Sequence, residues 1–184
     1  DRSPSRGLGD VYKRQDIEMA RQLGADGVVF GCLTANGEID LPVMQELMKA
    51  SQGLSVTFHR AFDICRDPEK ALEQIIELGC NRILTSGQQA TAELGIPLLK
   101  ALQTQASGRI ILLAGCGVNE KNIARIASET GIQEFHFSAR ESIKSDMKYK
   151  NESVSMGGTV HIDEYERNVT TAQRVINTIQ AIKS

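Results

Sequence analysis

One phrase occurs three times in this chain in different letters: LGADGVVFG at 23–31, LGCNRILTSG at 78–87 and TGIQEFHFSA at 130–139. Each combines the end of a helical pattern, a glycine, a short turn, an apolar run of strand length, and then small or polar residues. Gly24, Gly79 and Gly131 suit the left-handed residue that commonly closes a helix. Two further apolar runs, LSVTFHRAFD at 54–63 and RIILLAGCGV at 109–118, complete the series. Strand starts then recur every ~23–28 residues, the length of a βα unit, which calls for a parallel sheet with helices as crossovers. With no Gly-rich dinucleotide fingerprint after any strand, this even rhythm predicts an α/β chain of the TIM-type (β/α)8 barrel rather than an open doubly wound sheet.

Amphipathic helices are expected between the strands. They cover 41–50, a stretch opening at Pro68 behind an Asp67 cap, 96–105, 119–128, and a last one over 163–182. Only five strands can be counted, where a closed barrel has eight. Residues 16–24 read as the end of a helix whose strand would precede them. Residues 16–184 are therefore expected to be the C-terminal part of a single (β/α)8 barrel domain, about its last five βα units. Residues 1–15 do not share the pattern: they hold Gly, Ser, Pro and Arg without apolar periodicity. Their end, DVYKRQ, back-translates into the transposon end carried by common sequencing adaptors. This segment is accordingly expected to be adaptor-derived, non-native and disordered. Genomic DNA that continues the frame with other codons would contradict that.

Lys+Arg at 21 against Asp+Glu at 23 leaves no basic patch for nucleic acid, and the chain has no Trp and few aromatics on which bases could stack. No apolar run approaches the roughly 18 residues of a membrane helix. Cys32, Cys65, Cys80 and Cys116 are scattered, without the spacing of a zinc site or a disulfide framework. These features predict a cytoplasmic domain with free thiols, and neither nucleic acid nor membrane as partner.

Strands covered on both faces read as continuous apolar runs, and two here do not. In EFHFS, Glu134, His136 and Ser138 alternate with Phe135 and Phe137. The Phe face suits packing under the helices, which turns the other three into the barrel. The same parity turns Thr57 and His59 inward and Val56 and Phe58 outward, with Arg60 and Asp63 following at the mouth. Thr85, Ser86, Gly87 and Gln88 end the next strand, and Gly115, Cys116 and Gly117 the one after. All fall at strand C-terminal ends, where barrel active sites are built. His59, Arg60, Asp63 and His136 are the catalytic candidates: an acid–base pair, an anion anchor and a carboxylate to orient them. Taken singly, each also reads as a hydrogen-bonded core residue or half of a structural ion pair. Clustered on one rim, they read as a site.

Thr85, Ser86, Gly87, Gly115, Gly117 and Ser138 are candidates for holding a small anion, since barrels often bind phosphate at the loops after their last two strands. Glycine at such turns is equally turn chemistry. No Lys ends a strand, which argues against Schiff-base chemistry. Cys32 and Cys116 also end strands, and soft thiolates select Cu(I), so they are the metal candidates; each can equally be a small buried hydrophobe. His161, in the polar GGTVHIDEY stretch, reads as a solvated loop residue.

The phrases TFHRAFD (57–63), RILTSGQ (82–88), LAGCGV (113–118) and EFHFSAR (134–140) together resemble the CutC copper homeostasis family. MKYKN (147–151) and DEYER (163–167) are similar to that family's tail. The resemblance implies a (β/α)8 barrel, a cytoplasmic homodimer or higher homo-oligomer, and copper, as Cu(I), bound or handled. It also implies that the cysteine-bearing segments proposed as ligands in the family, and its RPRGG-like third-strand loop, lie in three units that precede these residues. His59, Arg60, Asp63, Thr85, Ser86, Gly87, Gly115, Gly117, His136 and Ser138 match the family's rim. Two functions are open at this point. One is copper homeostasis; the other is a barrel enzyme using His59 and His136 on a small metabolite, phosphorylated or not.

Overall fold

The chain was analysed as a computed structural model, which describes residues 3–151, 153–154 and 165–183. Five short strands form one parallel sheet in chain order: β1 (Gly27–Phe30), β2 (Ser55–Phe58), β3 (Arg82–Thr85), β4 (Ile111–Gly115) and β5 (Glu134–His136). Five strands and their crossover helices make about five units of a (β/α)8 barrel. Among the described residues the sheet does not close.

The crossover helices start where local chemistry starts them. Asp40 and Asp67 cap α2 (Leu41–Ala50) and α3 (Pro68–Glu77) by accepting from Val43 N and Lys70 N, with proline in each first turn. α4 (Ile96–Ala106) follows β3, and α5 (Ile123–Thr130) follows β4. Gly24, Gly79 and Gly131 all adopt φ between +77° and +84°, as the helix ends require.

Burial follows the predicted parity. Val56, Phe58, Ile83, Leu112 and Ala114 face the helices and are buried with Leu72, Ile75, Leu99, Leu102 and Ile126. Each large apolar side chain buried here contributes roughly 2 kcal/mol. The register sets Val29, Thr57, Arg82 and Ile111 side by side across four strands on the opposite face. That face is the one a closed barrel would fill, and Val29 on it is 62% exposed.

Four expectations differ from the structure. Helix α1 runs from Ser3 to Gln22, so 1–15 is not devoid of regular structure; a helix was not legible there because the segment lacks an apolar stripe. The helix expected from 119 starts at Ile123, because Asn122 Oδ1 accepts from Asn119 N and folds 119–122 into a turn. The last helix is only α6 (Ala172–Ala181), capped by Thr171. Before it, β6 (Arg140–Lys144) and β7 (Glu166–Thr170) form an antiparallel hairpin that the polar sequence did not announce.

Candidate functional site

The site grows out of the chain that leaves β2. At His59 the backbone is extended, and the next residues turn into a short 3-10 helix, Arg60–Ile64. The His59 side chain caps that turn: its Nδ1 accepts from Ala61 N–H at 3.2 Å. The ring packs against Gly31, where an added Cβ would come within 2.9 Å of Nδ1 and of the Phe58 ring. Glycine there is a steric requirement of the imidazole.

One turn on, Asp63 is the hub of the mouth. Its side chain is only 6% exposed. Oδ1 accepts from Thr85 Oγ1 at 2.6 Å, Ser86 N at 3.0 Å and Gln88 N at 3.2 Å, while Oδ2 accepts from Arg60 Nε at 2.6 Å. Gly87 N donates to Thr85 Oγ1. The amides of the loop after β3, expected to cradle an external anion, are thus engaged by the protein's own carboxylate and hydroxyl. With its lone pairs so occupied, Asp63 orients Arg60 and the loop.

Arg60 is held across the mouth. Nη2 donates to Ser86 Oγ at 3.0 Å, and the guanidinium also lies against the Cys116 thiol on the loop after β4. The hydrogen bond that Arg60 donates to Asp63 pushes the guanidinium pKa further up, so the charge is permanent. Its side chain remains 44% exposed, which leaves a fixed cation facing solvent over the mouth.

The other candidates lie further round. Cys116 sits at φ +80° and donates to Ala90 O at 3.1 Å. The Gly117 carbonyl accepts from Asn119 and Asn122. His136 pairs with Gly115 in register and is exposed. Ser138 O accepts from Thr170 Oγ1, tying the loop after β5 to the hairpin. His59 follows β2 and His136 ends β5, with two strands between them, and no hydrogen bond among the described residues joins them. His161 lies outside the described residues.

Three participants were missed from sequence. Gln88 Nε2 donates to Cys65 O at 2.7 Å and fastens the β3 loop to the 3-10 turn. Gly95 meets that loop so closely that a Cβ would lie 1.8 Å from Ser86 O. At the other end of the sheet, Arg82 bridges Ser55 Oγ and the Glu134 carboxylate, which holds its guanidinium pKa up. The last was accessible in principle, since parity put Arg82 and Glu134 on one face.

The residues present do not fit a copper ion. Among the described residues no three His, Cys, Asp or Glu side chains converge. Cys32 and Cys116 leave β1 and β4, with two strands between them, and each has a cation beside it: Lys13 Nζ at 3.9 Å from Cys32 Sγ, and Arg60 at Cys116. Burial raises the Cys65 thiol and pushes Cys80 up to about 11, away from the thiolate that soft metals require.

Fold and mouth together define a parallel barrel-type α/β chain with a charged rim at the strand C-termini. Residues 11–141 match the profile of the CutC family, and the chain belongs to that family. It is 99% identical over 170 residues to a CutC protein of Bacteroides thetaiotaomicron, which covers 92% of this chain and 68% of the relative. A crystal structure described as a copper homeostasis protein CutC from Streptococcus agalactiae superposes with a TM-score of 0.65 at 37% identity, over 67% of this chain and 60% of that one. An aldolase, QR15, shares the fold at 19% identity, with a TM-score of 0.56 over 68% of this chain and 60% of that one. The chain therefore spans about two thirds of its curated relative and less of its solved one.

Proposed function

We propose that the protein acts in copper homeostasis in the cytoplasm, as a homodimer or higher homo-oligomer, and that the mouth on this chain takes a small oxyanion rather than copper itself. Support for the copper role is family membership and the description of the 37% identical Streptococcus agalactiae protein. Copper(I), where the whole protein binds it, would be held by residues other than those described. The observation that carries the oxyanion half is Arg60, a guanidinium fixed by Asp63 and Ser86 and still open to solvent. No described helix is long and apolar enough to cross a membrane, in keeping with a cytoplasmic site of action.

A second reading shares the mouth. His59 beside Arg60, with His136 across the sheet, suits a barrel enzyme that polarises or protonates an oxygen of a bound metabolite. The two readings part in experiment. Deleting the gene lowers copper tolerance under the first, and the tolerance returns with the intact gene but not with an empty vector. Under the second, a screen of phosphorylated and carboxylated metabolites finds a turnover that Arg60→Met abolishes while copper tolerance is untouched.

A further inference from the structure

We infer that His59 is held as the Nε2–H tautomer, so that it works as a fixed hydrogen-bond donor to an oxygen of a small carboxylate or phosphate, and is closed to copper. The inference rests on the oxyanion reading of the mouth and goes further, by assigning a proton to one nitrogen and excluding that nitrogen as a metal ligand.

Two independent features fix the ring. Ala61 N–H points at Nδ1 at 3.2 Å, so Nδ1 must present its lone pair and the ring proton of a neutral imidazole sits on Nε2. Gly31 lies beside the same edge of the ring, where an added Cβ would come within 2.9 Å of Nδ1, so the Nδ1 edge faces protein on both sides rather than solvent. Among the described residues Nε2 has no hydrogen-bond partner, and parity aims the side chain to the same face as Thr57. A metal bound at Nε2 would need the proton on Nδ1, directly against the Ala61 N–H. Binding copper would therefore break the cap of the turn that carries Arg60 and Asp63. Donating Nε2–H to an oxyanion breaks nothing. Arg60, the next residue, supplies the charge.

The two roles of His59, cap and donor, can be separated. Asn is among the best capping residues and keeps an oxygen for Ala61 N–H, but it has no donor at the Nε2 position. Long-range imidazole NMR on the isotope-labelled chain, at mildly alkaline pH where an ordinary imidazole is neutral, reports the tautomer. Inorganic phosphate and acetate are the probes, with Cu(I) as the contrast; His136→Gln and His161→Gln variants assign the signals. We expect an Nε2–H ring that responds to phosphate or acetate and not to Cu(I). His59→Asn should leave the Arg60 Nε–H resonance in place while oxyanion affinity falls about tenfold. A proton found on Nδ1, or Nε2 losing its proton to Cu(I), overturns the tautomer. An Nε2–H ring that neither phosphate nor acetate perturbs overturns the oxyanion reading. Equal affinity in His59→Asn overturns the donor role.

Discussion

Asp63 and Arg60 are three residues apart, and the distinction between them is burial. The carboxylate is nearly sealed and accepts from four donors, whereas the guanidinium is almost half open. Replacing Asp63 with Asn keeps the shape but turns an amide NH2 towards donors that then have no acceptor. Leaving these donors without their charged acceptor costs about 3 kcal/mol. Chemical denaturation of Asp63→Asn should show that loss, while Arg60→Met, at the exposed end, should cost much less. Equal losses would mean the carboxylate is not the hub. At this scale the sequence was informative about identity and not about role. HRAFD at a strand end marked His59, Arg60 and Asp63, but nothing in it distinguished a carboxylate that reacts from one that serves as the internal anion of the loop after β3. That loop's Thr85 and Ser86 looked free to bind a ligand because their partner, Asp63, lies 22 and 23 residues earlier in the chain.

Between elements, the helices are joined by charge as well as by packing. Glu73 on α3 is gripped by Arg109 at 2.7 Å and by Gln105 of α4, which together lower its pKa from 4.5 to about 2. A depressed carboxylate stabilises the fold above its unfolded pKa, and that contribution is lost as pH falls through the folded one. The link between α3 and the start of β4 should therefore weaken between pH 4.5 and about 2. Arg109→Met should be less stable than the parent at neutral pH and indistinguishable from it below that window, measured by denaturation at fixed pH. A constant difference across the window would remove Glu73 from the account. Elements were the most legible level, since glycine caps, proline starts and strand parity are local signals. The hairpin β6–β7 was not legible, because its strands are polar on both faces and period two has no apolar half to reveal it.

For the molecule as a whole, the rhythm of strands was enough to count five units and to see that a barrel wants more. What the sequence could not show was how bare the unclosed face is: Val29 is 62% and Ile111 39% exposed, in the same register row on β1 and β4. The outer strands β1 and β5 also leave unpaired edges. This chain should therefore self-associate at micromolar concentration and bind a hydrophobic dye, and a Val29→Lys, Ile111→Lys double variant should do both less. Sedimentation velocity checks this, and a parent chain that sediments as a dye-free monomer would contradict it.

The division of labour between oxyanion and copper is best tested by titrating Cu(I) against a competing chelator, in parallel on this chain and on the full-length Bacteroides thetaiotaomicron relative. The account expects this chain to leave the chelator's copper in place, and any stoichiometric uptake by the relative to survive the substitutions equivalent to Cys32→Ser and Cys116→Ser together. Tight uptake by this chain, lost in that double variant, would show the mouth to be a copper centre and would contradict the account.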